Sequence, residues 1–253
     1  MTMSIQRLSF VMAGLLAAAP ALAAEIRIFS TGASKAIIEQ LSASFEKKTG
    51  HKVIITSDTA GGVARRVEAG DPFEVAVATG SVVNALIEKG KLAPGSRIDI
   101  ASTSIGIGVK EGAPKPDIST VDAIKKLLIE AKTISYVDPA SGGTSGIYFA
   151  KLIDQWGLTE QLKPKLRLQA GGYVAERVAK GESEVVFHQI SEIIPVKGVT
   201  LLGGLPPEIQ LVTTYSGGLA PNASDIAKAL HAHFIGPDAE AIIKGAGMVQ
   251  PKR

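Results

Sequence analysis

The sequence predicts an α/β chain of two lobes, each a parallel-rich sheet covered by helices, with a cleft between them. Three observations carry this expectation. From Glu25 onward, short β-rich runs alternate with single stretches of helical periodicity, the pattern of parallel strands joined by crossover helices. Two extended runs, near residues 105 and 212, look like crossings between lobes. Of the 253 residues, 45% are hydrophobic and 20% charged, enough apolar content for a sizeable core and too much for a disordered chain. These crossings assign 24–105 plus 205–253 to a first lobe and 106–204 to a second.

Taken in order, Ile26 to Phe29 reads as a strand and Ser30 to Ala33 as a turn. Ile38, Leu41 and Phe45 follow at helical spacing, and the helix stops at Thr49-Gly50 with Lys47 and Lys48 in its last turn. Val53 to Ile55 is a strand, Val63 to Ala69 a short helix, Val75 to Val77 a strand, and Val82 to Lys89 a helix ended by Gly90. Asp99 to Lys110 is extended, with Ile105, Ile107 and Val109 alternating. After a proline-containing connector over 112–117, Ser119 to Asp122 forms a capping box that opens a helix to Ala131. Strand 134–137, helix 145–156, strand 166–168, helix 173–180 and strand 185–187 come next. Val199 to Leu202 precedes a strand over 209–215, and helices over 224–234 and 238–245 close the chain.

The N-terminus sets the compartment. Arg7 precedes an apolar stretch from Leu8 to Ala19, too short to span a bilayer, then Pro20 and the small-x-small pattern Ala21-Leu22-Ala23. This predicts a secretory signal peptide over 1–23, cleaved after Ala23. Cysteine is absent, which excludes disulfides, thiolate metal sites and a Cys nucleophile. The formal net charge is only +3, and Lys/Arg occur at most in pairs such as Lys47-Lys48 and Arg65-Arg66. Nucleic acid is therefore not an expected partner.

Four glycine- or hydroxyl-rich turns run from predicted strands into helices: Ser30 to Ser34, Thr59 to Gly62, Ser141 to Gly146, and Ala170 to Tyr173. Helix starts present unpaired N–H groups and partial positive charge, and ligands of parallel sheets sit beyond the strands' carboxyl ends. The four turns together predict a small anion held between lobes by neutral dipoles. The donors expected are the side chains of Ser30, Thr31, Ser34, Thr59, Thr144, Ser145, Tyr173 and Gln189. The backbone N–H groups of Gly61, Gly146 and Gly172 would add to them.

Other chemistry is poorly represented. No Walker motif, G-x-G-x-x-G turn or G-x-S-x-G elbow occurs. His51 follows a helix end and reads as solvated, while His231 and His233 sit two apart and cannot share a metal. No metal or cofactor is expected. His188 differs, because it closes a predicted strand beside Gln189 and would line the cleft, with His188 or Tyr173 as a candidate acid or base. Tyr148 and Trp156 share a helix face and read as core. Arg65-Arg66 reads either as a solvated face or as charge assistance to a ligand.

At these turns the chain resembles periplasmic solute-binding proteins of the molybdate-binding type, which have the type 2 periplasmic-binding-protein fold. The matching segments are Ser30 to Ser34, Ala64 to Pro72 with Glu74-Val75, Asp138-Pro139 with Gly146 to Tyr148, Gly181-Glu182, and Lys244 to Pro251. The resemblance implies a monomer in the periplasm that passes a small anionic ligand to an ABC permease of the inner membrane. Molybdate binders use a serine from each of the first two loops, where this chain has Ala33 and Ala60-Gly61. Their tyrosine near the end of the fourth site strand falls at Gln189. These changes favour a planar organic acid over molybdate or tungstate. Aconitate isomerase has the same resemblance, so a second expectation is allylic proton transfer on aconitate in the same cleft.

Overall fold

The computed structural model describes residues 23–251, so the predicted leader lies outside the described residues except for Ala23. Strand β1 (Glu25–Thr31) buries Ile26 and Ile28 on one face and then becomes buried on both faces through Thr31. It passes directly into helix α1 (Gly32–Thr49), with no intervening turn. Ile37, Ile38, Leu41 and Phe45 of α1 pack on the sheet, and Gly50 ends the helix in the left-handed region at φ 75°. Then follow β2 (Lys52–Asp58), α2 (Ala60–Ala69), β3 (Val75–Thr79) and α3 (Gly80–Glu88).

Strand β4 (Ile98–Lys110) is the long extended run. Next come α4 (Val121–Glu130), β5 (Ile134–Val137), α5 (Thr144–Gln155), α6 (Thr159–Leu162), β6 (Leu166–Gln169), α7 (Glu176–Ala179), β7 (Val185–Gln189), α8 (Ile190–Ile193) and β8 (Val199–Gly204). The chain closes with β9 (Val212–Leu219), α9 (Asp225–His233) and α10 (Ala239–Gly245).

The strand order is β2-β1-β3-β9-β4-β7-β5-β6, with β8 also on β4. Parallel pairs β1–β2, β1–β3, β5–β6 and β5–β7 are what single-helix crossovers impose, while β4 and β9 pair antiparallel. β4 joins the two halves: Ile98 to Ser104 pair with β9, and Ile105 to Val109 with β7. At that junction the Gln210 side chain stands in for a strand. Its Oε1 accepts from Ile105 N–H and its Nε2 donates to Ile105 O, both at 3.0 Å. Helices cover both faces of each half, which splits the core into four clusters.

Two expectations need correction. β9 starts at Val212 rather than 209, because Pro206 and Pro207 bring a 3-10 turn over Pro207–Ile209 before it. The helix expected from Tyr173 begins only at Glu176, because Gly172 sits at φ 77° in a turn. Helices α6 and α8, four residues each, are too short to show periodicity. Tyr148 and Trp156 are partly buried against the second-half core as expected, and Tyr148 Oη also donates to Ile209 O at 2.7 Å.

Phe149 is fully buried between Tyr136 and Phe187, with ring centroids 4.7 and 4.5 Å away. Phe149→Ala is expected to cost about 3–5 kcal/mol in chemical denaturation, the loss typical of a deleted core aromatic ring.

Candidate functional site

Three helix starts converge on one enclosed cavity of about 30 Å³: Thr31 to Ala33 at α1, Thr59 and Ala60 at α2, and Gly143 to Ser145 at α5. Asp58, Val137, Gly171, Gly172, His188, Gln189, Glu192 and Tyr215 complete the lining. β1, β2, β5 and β7 deliver these residues at their carboxyl ends, as parallel strands do. Thr31 Oγ1 lies 2.7 Å from Ser34 Oγ, which is itself 2.9 Å from Ser30 Oγ, so a buried hydroxyl cluster holds Thr31 at the wall. Thr59 caps α2 by accepting from Gly62 N–H at 3.0 Å and donates to Ser141 O at 2.6 Å.

The other wall carries titratable groups. His188 Nδ1 lies 3.0 Å from Ser145 Oγ, and Nε2 lies 3.4 Å from both Gly172 O and Glu192 Oε1. A carbonyl only accepts, so the hydrogen shared with Gly172 sits on Nε2 and Nδ1 accepts from the Ser145 hydroxyl. Burial pushes the His188 imidazole down to about 4 and the Glu192 carboxyl up to about 8. Both are therefore uncharged at neutral pH. Burial likewise raises the Tyr215 phenol, with the Glu192 carboxylate adding to the shift. Glu192 reaches the start of α1 only because residue 32 is glycine: a Cβ there would lie 2.5 Å from Glu192 Oε1. The Gln189 Oε1 atom on this wall is buried with no hydrogen-bond partner.

Of the residues expected from sequence, Thr31, Thr59, Thr144, Ser145, Gly172, His188 and Gln189 line this cavity. Ser30 and Ser34 lie behind it. Gly61 donates its N–H to Gly142 O at 3.2 Å instead of facing the cavity. Gly146 packs against β5, where a Cβ would lie 2.0 Å from Val137 O. Gly172 offers His188 its carbonyl oxygen rather than its N–H, since the fourth turn opens no helix.

Tyr173 faces an outer cavity of about 250 Å³ that shares Gly32, Asp58 and Gly172 with the inner one. Burial, then the carboxylates of Glu39, Glu192 and Glu176, push its phenol up to about 12, which makes it a donor and not a base. Arg65 is exposed and Arg66 partly so, in line with the solvated-face reading. Arg65 Nη2 donates to Ser141 O at 3.2 Å, and Arg66 is held by Asp58 at 3.1 Å and Asp71 at 3.3 Å. His51 Nδ1 accepts from Ala24 N–H at 3.0 Å.

Glu192, Tyr215 and Asp58 escaped the sequence reading. Glu192 sits in the short α8, Tyr215 within a strand, and Asp58 at a strand end one residue before a turn that was recognised. Glu192 lies four residues after His188, but the two stand on different elements, the end of β7 and the short α8, so no periodic spacing signalled the pair. Among the described residues, no cluster of three His, Cys, Asp or Glu is placed to hold a metal, and no helix is long and apolar enough to cross a membrane.

The family model for bacterial extracellular solute-binding proteins matches residues 26–249. An aconitate isomerase of a Pseudomonas species is 32% identical over 246 residues, covering 92% of each chain. The molybdate-binding protein ModA of Azotobacter vinelandii is 30% identical over 258 residues, covering 98% of each. Among solved structures, the Azotobacter vinelandii periplasmic molybdate-binding protein has a TM-score of 0.75 at 22% identity, covering 90% of this chain and all 100% of that one. Peb3 from Campylobacter jejuni has a TM-score of 0.66 at 12% identity, covering 89% of this chain and 100% of its own.

The buried pair predicts a specific pH response. Between the ordinary carboxylate value of 4.5 and about 8, the folded chain keeps a proton on Glu192 that the unfolded chain has released. That contribution to stability is lost as pH rises through this window. His188 acts oppositely between about 4 and 6.5, where the unfolded chain binds the extra proton. Above pH 6.5 only the Glu192 contribution remains. Stability of the wild type relative to Glu192→Gln, measured by urea denaturation, is therefore expected to fall between about pH 6.5 and 8.

Proposed function

This chain belongs to the bacterial extracellular solute-binding proteins, and we propose that its cleft binds a small unsaturated polycarboxylate and moves a proton on it, as an aconitate isomerase does. The observation that carries the reading is the position of Glu192, a buried acid on the cavity wall with its proton affinity raised to near neutrality. Protonated, this carboxyl offers a capture site only one more donor, and ionised it would repel an anion. An acid poised near the working pH is instead suited to general acid–base catalysis.

In the proposed step, the fraction of Glu192 that is ionised as pH approaches about 8 takes a proton from the methylene carbon next to the double bond. The electron pair moves so that the double bond shifts by one carbon, and Glu192 returns the proton to the far carbon of the former double bond. Atoms and charge balance without a cofactor. The carbanion-like intermediate spreads its charge onto a carboxylate, which the hydroxyls of Thr31 and Thr144 and the backbone N–H groups of the helix starts stabilise. His188, uncharged, positions Ser145 and Glu192 rather than acting as the base.

A second reading is carriage of an organic anion to a permease by a monomeric periplasmic protein. It is favoured by the bonds across the cleft, Thr59 and Arg65 to Ser141 O and Gly61 to Gly142 O. These link the predicted lobes, 24–105 plus 205–253 and 106–204, in a closed form of the kind a permease could recognise.

Incubating the purified protein with trans-aconitate and following the cis isomer by proton NMR separates the readings. Turnover is expected, and Glu192→Gln is expected to lower kcat by about 10²–10⁴-fold while still binding. Binding without turnover in the wild type would leave carriage. Binding of neither aconitate isomer would sink the isomerase.

A further inference from the structure

We infer that the outer cavity is a subsite for a second carboxylate of the ligand, with Lys35 supplying its charge. This rests on the reading of the cleft as a carboxylate site and names what selects the substrate. The inner cavity, about 30 Å³, exceeds the roughly 10–15 Å³ that one water needs but is small beside a whole di- or tricarboxylate. It can take one end of an organic anion and no more. The remainder has to lie in the outer cavity of about 250 Å³, which opens from the inner one past Gly32, Asp58 and Gly172.

Charge points the same way. Among the described residues lining the two cavities, Lys35 is the sole cation, whereas Asp58 and Glu192 are acids. Asp58 is already engaged, accepting from Thr59 N–H at 2.8 Å and from Arg66 Nε at 3.1 Å. Lys35 is held loosely by its own helix, 3.8 Å from Glu39 Oε1, with both side chains well exposed. Its Nζ lies 5.6 Å from the ring centroid of Tyr173, which comes from the opposite wall. A cation set over an aromatic face at the mouth is positioned to meet an incoming anionic group, and the Tyr173 hydroxyl adds a donor. A compact oxyanion held in the inner cavity would not reach it. An aliphatic chain of four to six carbons with a carboxylate at each end would.

Calorimetric titration at fixed ionic strength tests this with acetate, sulfate, succinate, tricarballylate and trans-aconitate. The proteins compared are the wild type, Lys35→Met and Lys35→Arg. Lys35→Met is expected to weaken the di- and tricarboxylates by about ten-fold or more, the loss of one charge-assisted contact. Acetate and sulfate should change by less than about two-fold, and Lys35→Arg should recover most of the loss. Equal weakening of every anion by Lys35→Met, or no weakening of any, overturns the subsite while leaving a carboxylate cleft intact. Sulfate binding with none of the carboxylates bound to the wild type would instead overturn the carboxylate reading itself.

Discussion

The cleft depends on keeping a carboxyl and an imidazole buried without charge. Glu192 lies at the start of α1, whose dipole favours an anion by about 0.3–1 kcal/mol. Removing a carboxylate from water costs several kcal/mol even after the protein relaxes. Desolvation wins, so the Glu192 carboxyl titrates near 8 despite the helix start beside it. The balance depends on closure. Water admitted to the cleft would restore much of the lost solvation and lower the proton affinity.

The remaining walls answer the same constraint with neutral groups. Thr31, Thr59, Thr144 and Ser145 lie on the lining, and the first two and the last are held by neutral partners rather than by a charge. Thr31 leans on the buried Ser34, Thr59 is fixed by the α2 cap and by Ser141 O, and Ser145 is fixed by His188. Thr59 and Ser145 spend their hydroxyl hydrogens on Ser141 O and His188 Nδ1, so donation to a ligand falls to Thr31, Thr144 and the backbone N–H groups of the helix starts, which need no reorganisation when negative charge gathers there. Ala33 and Ala60 on the same lining remove donors and leave the space drier, which strengthens the contacts that remain.

Much of this arrangement was legible in the residues. Alternating runs in β1, β3, β5 and β7 and helical periodicity in α1, α4 and α5 reflect burial on a sheet, a constraint that composition records directly. The helix starts at Thr31, Thr59 and Thr144 could be located because capping and glycine turns have local signatures. What stayed hidden was set by distant partners. Tyr173 left the helix it was assigned to because of the Gly172 turn, and β9 slid toward the C-terminus because two prolines could not pair. Gly61 and Gly146 read as ligand donors, but their small size serves close packing against Gly142 and Val137. The acid of the site was missed because α8 has only four residues, fewer than a periodic pattern needs.

That omission bears on how a capture cleft and an enzyme can share one framework. Convergent helix starts, hydroxyl donors and a closing mouth serve any small anion, and they are the features the sequence advertises most clearly. Turnover of the kind proposed needs only one added group of suitable proton affinity at the wall, and the short α8 turn after β7 places Glu192 there. The same turn carries Gln189, whose buried acceptor Oε1 lacks a partner within the protein. A permanent vacancy of that kind costs about 1–3 kcal/mol, a cost that a hydrogen-bond donor on the ligand or an ordered water would offset. The β7–α8 corner is thus where this chain concentrates both its chemical reactivity and its unmet polar demand. On the isomerase reading, activity would be decided there rather than at the glycine-rich turns.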